Sequence, residues 1–543
     1  MFIPKLIVCL REGYSWKQCS NDVQAGIVVG LVALPLAMAF AIASGLPPER
    51  GLFTAVVAGF LISATGGSRV QIGGPTGAFV VIVAGIVAHY GYSGLAVATL
   101  MAGVILILMG LGRLGSLVKF IPYPVTTGFT SGIAVVIFST QVRDFLGLTM
   151  PAAPADFVDK WRAYAAAIGS VNPEAIGLAS ATVLCIALWP KAWRKVPGPI
   201  AALVLLTGVA TLFNLHVETI GSRFGGIPHA LPKPTWPTFS WHEVKLLFPS
   251  AITVALLGAI ESLLSAVVAD GMIGGKHKSN MELVAQGIAN IASPLFGGIP
   301  ATGAIARTAT NVNNGGRTPV AGIVHAATLL VILWVASPLA AHIPLTVLSG
   351  ILMMVCYHMA EWRSFRFHLL GPASDRIVLL STFLLTIFVD LTVAVEVGIV
   401  MAAFLFMKNM AELTQVKEIQ QETDQENGDD LRKVAVPTDV VIFSIHGAFF
   451  FAAIHKLMEI ERTIAKAPRA LILDMTDVLH IDSSGLQVLL RMHKDCQARH
   501  IRLILAGIQA QPLKVLEQAG QKDAFGQNNI QTHLRGALHQ VKV

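Results

Sequence analysis

The stretch Gly297-Gly298-Ile299-Pro300-Ala301-Thr302-Gly303-Ala304 and its distant counterpart Gly73-Gly74-Pro75-Thr76-Gly77-Ala78 decide how this chain is organised. Both run Gly-Gly, Pro, Thr, Gly, Ala with one or two residues slipped, and their prolines lie 225 positions apart (300 minus 75). Each follows an apolar run and opens another. Proline suits the first turn of a helix, where its missing N–H is not needed, so spans are expected to begin at Pro75 and Pro300. Glycine and alanine leave the N–H groups there open to close approach. A helix N-terminus carries roughly half a positive charge, and two of them facing each other would hold an anion. One Gly-Gly-Pro would be an ordinary loop. Two at corresponding positions in the halves of an apolar chain mark the binding site of a transporter.

Composition agrees. Of the 543 residues, 54% are hydrophobic and only 13% charged, which excludes an ordinary soluble protein. Apolar runs of about 20 residues, the length of a spanning helix, recur from Ala25 to Met410. The formal charge of +7 is read as basic cytoplasmic loops rather than as a nucleic-acid surface. Cys9, Cys19, Cys185, Cys356 and Cys496 show no paired spacing, so neither a metal site nor a disulfide framework is indicated. The N-terminal stretch mixes charges and lacks a small-residue cleavage site, so no signal peptide is expected.

Residues 1–22 read as an amphipathic cytoplasmic segment and 23–411 as a transmembrane domain. The spans of the first half start near Ala25, Leu52, Pro75, Leu95, Pro124, Ala175 and Pro199. Those of the second start near Ala251, Leu283, Pro300, Val320, Ile343, Ile377 and Leu391. The total is about fourteen, seven plus seven. Pro35 precedes Pro75 by 40 residues and Glu261 precedes Pro300 by 39, so the halves keep register. An odd number of spans per half makes the repeats inverted, the plan of secondary transporters. Lys191, Arg194 and Lys195, then Lys276 and Lys278, then Arg363 and Arg366 all fall inside if the N-terminus is inside, as the positive-inside rule expects. Both termini are then cytoplasmic. Residues 412–435, rich in Glu, Gln and Asp, read as a solvated linker, and 436–543 as a small α/β domain with strands at Val440–Ile445, Ala470–Met475 and Arg502–Ala506.

Glu261 is the clearest carboxylate in the middle of a long apolar run. Glu396 lies nearer the start of its run, where an interfacial place suits it. An intramembrane carboxylate costs at least about 2.5 kcal/mol on insertion scales and is a functional candidate by default. Glu261 is expected either to bind and release a proton, or to ligate Na⁺ with Ser262, Ser265 and carbonyls near Pro300. A fixed ion pair with Arg307 is the bland alternative. Arg307, about two turns into the Pro300 span, either adds positive potential behind the anion or snorkels to an interface. Phe40 either walls the site or is core. Asp482-Ser483-Ser484-Gly485 sits between a strand and a helix, where Asp and Ser can simply cap the helix.

These motifs together resemble the sulfate permease (SulP) family, which includes the solute carrier 26 anion transporters. The resemblance covers nearly the whole chain. It rests on Asp22 to Leu36 with Ala25-Gly26 and Leu34-Pro35, on Ser44-Gly45-Leu46-Pro47-Pro48 with Gly51-Leu52, on Gly74-Pro75-Thr76, and on Gly298–Thr318 with Arg307 and Gly315-Gly316. The C-terminal part resembles a STAS domain, with Asp482-Ser483-Ser484-Gly485 matching the anti-sigma antagonist phosphorylation motif and Ser483 therefore a candidate regulatory site. Gly258 to Leu264, with Asp270-Gly271-Met272 and Lys276-His277-Lys278, looks most like the family's bacterial C4-dicarboxylate transporter.

The resemblance implies an elevator-type transporter of the bacterial inner membrane. A core of spans 1–4 and 8–11 moves against a gate of spans 5–7 and 12–14, and the anion site lies between spans 3 and 10. Pro75, Thr76, Gly77, Ala78, Pro300, Ala301, Thr302, Gly303, Ala304, Arg307 and Phe40 are the candidate substrate contacts. Glu261, Ser262 and Ser265 are the candidates for coupling to H⁺ or, alternatively, Na⁺. Two departures stand out. The family's Na⁺-coupled bicarbonate members carry Asp where this chain has Glu261, and many members have a polar residue where this chain has Leu36. The expectation is therefore a proton-coupled C4-dicarboxylate symporter. Sulfate or bicarbonate transport with or without Na⁺, an anion channel, and a STAS-based sensor are the alternatives. A homodimer and a cytoplasmic partner of the STAS domain are implied by the resemblance alone; no cofactor and no enzymatic activity are expected.

Overall fold

In the computed structural model the described residues are all but 1, 117–121, 151–153, 155, 191–196, 239, 390, 420–436, 438, 453, 455–457 and 543. The expected basic loop Lys191–Lys195 and most of the acidic linker lie outside them. The chain divides into two compact units, 1–399 and 400–543.

The first unit is helical. After α1 (Lys5–Arg11) come α2 (Trp16–Ala43), α3 (Pro48–Thr65), the two-residue strand β1 (Gly73–Gly74), α4 (Gly77–Leu111), α5 (Tyr123–Leu146), α6 (Phe157–Ala167), α7 (Pro173–Ala187), α8 (Gly198–Leu212) and the short α9 (Ile220–Phe224). The second half holds α10 (Trp241–Ile273), α11 (Ser279–Leu295), β2 (Thr302–Gly303), α12 (Ile305–Asn313), α13 (Val320–Ala340), α14 (Leu345–Met359), α15 (Trp362–Leu369), α16 (Ala373–Phe388) and α17 (Leu391–Leu413). α4 breaks at Gly91, whose φ of 66° only glycine adopts at no cost, so it supplies two of the expected spans. Among the described residues, seven helical stretches, with α14 and α15 counted as one, are long and apolar enough to cross a membrane by length and composition alone. The remaining spans are short or polar ones, such as α11 and α12.

Packing sorts the helices into two sets. α4 lies on α10 and α11, α3 on α11 and α13, and α2 on α3 and α13, whereas α5 lies on α14 and α16, and α7 on α8 and α14. Gly103 on α4 and Gly287 on α11 mark the closest crossing: a Cβ on Gly103 would lie 2.7 Å from the Gly287 carbonyl oxygen. Small residues permit such approach where apolar area drives no association within lipid.

Three boundaries differ from the sequence expectation. α2 starts at Trp16, under a capping box from Ser15 and Gln18, so the segment 1–22 is not separate from the membrane domain. Asp22 in it is fully buried and accepts hydrogen bonds from the Arg317 and Thr318 N–H groups and the Thr318 hydroxyl. Its partners at the α12–α13 turn are distant in sequence, which hydropathy does not see. At the other end, residues 412–413 complete α17, and β3 (Gln415–Glu418) pairs with β4 (Val440–His446), so the linker expected over 412–435 is shorter. The second-half span also does not start at Pro300.

The second unit is built on a five-stranded sheet in the order β3, β4, β5 (Ala470–Asp477), β6 (Arg502–Ala506), β7 (Ile530–Gln531), antiparallel only between β3 and β4. Helices α18 (Met458–Ala465), α19 (Ser483–Ala498), α20 (Ala510–Gln518), α21 (Lys522–Phe525) and α22 (Leu534–Lys542) complete it. Alternation along the strands buries both faces. Phe443, Leu471, Leu473 and Leu505 pack with α19 residues Leu489 and Met492, and Ile442, Ile472 and Ile504 pack with Leu538 and Val541 of α22.

Candidate functional site

The two quoted stretches meet. β1 pairs antiparallel with β2, Gly73 opposite Gly303 and Gly74 opposite Thr302. Antiparallel contact is what inverted repeats produce when equivalent segments cross. Beyond the crossing the chain turns into α4 at Gly77, with Thr76 as N-cap, and into α12 at Ile305, with Ala304 as N-cap. Pro300 is therefore not at a helix start, and four residues, 301–304, separate it from α12. Those residues stay extended because they are held from every side.

The Arg50 guanidinium donates to the Gly297 carbonyl at 3.0 Å and the Tyr92 hydroxyl to that of Gly298 at 2.9 Å. The Thr54 hydroxyl accepts from Ile299 N–H at 2.6 Å. Asn290 both accepts from Ala301 N–H and donates to its carbonyl. The β1 side is clasped likewise. Thr308 accepts from Ile72 N–H, Asn311 donates to the Val70 carbonyl, and Glu282 accepts from the N–H groups of Gly67 and Ser68.

Side chains missed in the sequence do this work. Glu282, Gln286 and Asn290 recur every fourth residue of α11, all buried, and form one polar stripe that reaches both extended stretches. That spacing within a small-residue span was the available signal. Gln71 is another such residue, donating to the Ser262 carbonyl at 3.1 Å. A Cβ on Gly303 would run into its side-chain amide. Gly303→Ala should thus push Gln71 away and open the β1–β2 pair, at a cost of about 1–3 kcal/mol for overpacking. A melting midpoint equal to wild type in purified protein would show that the crossing tolerates the methyl group.

The predicted residues divide into three groups. Thr76 donates its hydroxyl to Glu261 at 2.8 Å, which brings the carboxylate to the start of α4. Arg307 is 2% exposed. One of its terminal amines donates to the Pro75 carbonyl, while Nη1 is buried with no hydrogen-bond partner among the described residues. A Cβ on Gly74 (φ +146°) would lie 2.6 Å from that Nη1, so a glycine is needed for the guanidinium to reach there. No ion pair within 4 Å joins Arg307 and Glu261 among the described residues, and the fixed pair weighed from sequence is not formed.

The second group is committed to structure. Thr302 donates to the Gly258 carbonyl at 3.0 Å, and the Ala301 N–H is taken by Asn290. The Ala304 N–H is taken by the Ile72 carbonyl. The donors left in the first turns of the two helices are those of Gly77 and Ala78, and of Ile305, Ala306 and Arg307 itself. The Ser262 hydroxyl bonds back to Ala259, and that of Ser265 donates to Thr308 at 3.3 Å. Phe40 forms the third group: it is 5% exposed in the main apolar cluster with Ala78 and Phe79, and no polar contact of its side chain ties it to the crossing.

Arranged thus, two helix starts and a buried guanidinium with an unmet N–H converge beside a carboxylate that is itself partly exposed. Such a site can hold a small oxyanion by backbone and guanidinium donors and can exchange a proton or cation at Glu261. On the sheet-and-helix unit, Ser483 begins α19 and is exposed. The cap is made by Asp482, whose side chain accepts from Gly485 N–H at 2.7 Å.

Known proteins agree with this architecture. Residues 20–382 match the sulfate permease family and residues 432–537 match the STAS domain. A protein of Bacillus subtilis (strain 168) named "Putative sulfate transporter YvdB" is 43% identical, over 96% of this chain and 98% of its own length. The bicarbonate transporter BicA of Picosynechococcus sp. is 32% identical over 93% of this chain and 91% of its own. The solved transmembrane domain of a cyanobacterial BicA superposes with a TM-score of 0.64 at 34% identity, over 70% of this chain and 98% of that one. The overall structure of SLC26A9 superposes with a TM-score of 0.87 over 99% of this chain and 92% of that one; at 16% identity this speaks to fold alone.

Proposed function

This chain belongs to the sulfate permease family and ends in a STAS domain; it is a multi-pass membrane transporter of anions, not an enzyme, and from that premise we propose how it works. It is a secondary active transporter whose anion sits between the starts of α4 and α12, with Arg307 Nη1 as the charged donor. The observation that carries this reading is that buried, unpartnered N–H. A buried donor on a charged group left unmet costs several kcal/mol, and an oxyanion supplies the missing acceptor.

The first reading of the cargo is a C4-dicarboxylate carried with protons, supported by the similarity of Gly258–Leu264 to members with that substrate. The relatives named for sulfate and bicarbonate favour a second reading, in which one of those anions is carried, with Na⁺ at Glu261 and Ser265 as the alternative coupling ion. For the proton, Glu261 has a single hydrogen-bonding partner among the described residues, the Thr76 hydroxyl. The Ser265 hydroxyl donates to Thr308, which leaves its oxygen lone pairs open to a cation, so the Na⁺ reading stays in play. The loaded core, with Glu261 protonated, moves against the gate without carrying an exposed negative charge. The protein is proposed to act as a homodimer in a bacterial inner membrane, with Ser483 as a regulatory phosphorylation site and the STAS domain as the place where a cytoplasmic partner docks.

Competition in proteoliposomes tests the cargo. Uptake of labelled succinate should be driven by an inward proton gradient and blocked by fumarate. If sulfate or bicarbonate is accumulated and succinate is not, the second reading stands. Orientation is tested separately. With the N-terminus inside, Gly91 and Gly297 lie at the outer face, and Gly67 and Lys278 at the inner one. Single cysteines at positions 91 and 278 should react with an impermeant maleimide from outside intact cells only at 91; the opposite pattern would invert the topology.

A further inference from the structure

The N-terminal segment carries a charge arrangement that the transport cycle does not use. Lys5 N–H donates to the Gly66 carbonyl at the end of α3, and Lys278 Nζ donates to the Ile3 carbonyl at 3.1 Å. The same corner receives Arg69, which pairs with Glu12 at 2.5 Å. Three cations are thus gathered at one end of the core, and the acid within reach is spent on Arg69. Neither Lys5 nor Lys278 has a carboxylate within 4 Å among the described residues. Burial, followed by the charges of Arg69 and Lys278, holds the Lys5 ammonium below its usual range, as expected where like charges converge without a counterion.

The N-terminal segment, just before and within α1 and at the start of α2, also carries apolar side chains that face outward. Phe2 is 43% exposed, Ile7 41%, Leu10 53% and Trp16 86%. On an ordinary soluble surface such a group would be a liability. At the rim of a membrane domain, basic side chains flanked by outward apolar and aromatic ones make an interfacial element, which sinks its apolar residues to the headgroup boundary. Two unpaired lysines held by backbone contacts then lie at the depth of lipid phosphates.

We propose that Lys5 and Lys278, with Phe2, Ile7, Leu10 and Trp16 as the apolar anchor, form a binding site for the phosphate headgroup of an anionic phospholipid. The convergence of cations selects for charge. The apolar fringe selects for a lipid over a free anion, since inorganic phosphate gains nothing from it. α1 and the ends of α3 and α11 are thereby fastened to the bilayer surface at one edge of the helix set that bears the anion site. The placement in the cytoplasmic leaflet rests on the orientation proposed above; binding itself does not.

The test uses the full chain, purified from vesicles of equal parts phosphatidylglycerol and phosphatidylcholine, with retained lipid counted by native mass spectrometry. Wild type should keep phosphatidylglycerol in preference. Each basic residue near an anionic surface contributes about fivefold in binding, so Lys5→Gln with Lys278→Gln should lower retention roughly 25-fold while leaving anion affinity at the crossing unchanged. Equal retention by the double variant overturns the proposal. Should that variant fold poorly, salt gives a second measure on wild type. Raising ionic strength should release phosphatidylglycerol but not phosphatidylcholine; indifference to salt overturns it too. Displacement of the lipid by millimolar inorganic phosphate would show a free-anion site instead and equally overturn the lipid assignment.

Discussion

Glu261→Gln should bind its anion within a few-fold of wild type and yet fail to accumulate it against a gradient. The amide matches the protonated acid in size and can still meet the Thr76 hydroxyl, so the start of α4 keeps its shape. What it cannot do is take up a proton on one side and release it on the other. A pH difference of one unit across the membrane is worth about 1.36 kcal/mol per proton, or tenfold in accumulation. In sealed proteoliposomes with an inward proton gradient, wild type should concentrate substrate by that factor per coupled proton, and the variant should only equilibrate it. Exchange of labelled for unlabelled anion should persist, because it needs no net proton movement. If wild-type uptake follows Na⁺ and ignores pH, Glu261 is a sodium ligand and the proton cycle fails. If Glu261→Gln still concentrates substrate under a pH gradient, the proton is carried elsewhere.

Arg307→Ala should do the reverse and remove binding. A hydrogen bond to a charged group is worth about 1.5–3 kcal/mol, and the guanidinium adds its charge in a place sealed from water. A loss of about 3 kcal/mol is a Kd roughly 150-fold weaker. The variant also strands the Pro75 carbonyl, which accepts from Arg307, so its melting midpoint should fall. Lysine is the informative control. It restores charge but not the fork, which donates to Pro75 with one amine and leaves Nη1 for the anion. Arg307→Lys should recover stability more than affinity. Wild-type affinity in Arg307→Lys, measured by isothermal titration on protein of confirmed fold, would mean that charge alone suffices and the geometric assignment of Nη1 is wrong.

Much of this site could be read from residue types because its backbone demands are unusual. A glycine pair followed within two residues by proline, once in each half, is hard to place anywhere except where chain segments cross closely. The same signal misled at Pro300. Proline fits a helix start and an extended segment equally well, and only the pairing of Gly73 with Gly303 decides between them. The polar stripe Glu282, Gln286 and Asn290 was passed over because α11 was judged by hydropathy, and its function is to satisfy the backbone of other segments. Asp22 was hard to read for a related reason: besides nearby Tyr14, its partners are 295 and 296 residues away. Arg307 was found because a charged residue in an apolar setting is conspicuous. Its division of labour between Pro75 and an unmet N–H is a matter of rotamer and was not legible.

The β1–β2 pair also sets the order of events during synthesis. Gly74 and Thr302 are partners, yet 228 residues separate them (302 minus 74). At about 5–20 residues per second of translation, the ribosome delivers Thr302 roughly 11–46 s after Gly74. For most of that interval the first extended stretch has neither its strand partner nor the α11 stripe that clasps it, in a medium where unmet backbone groups are costly. The nascent first half must wait in the insertion machinery or beside water, and a chain interrupted before residue 303 is left with half an anion site and no means of completing it.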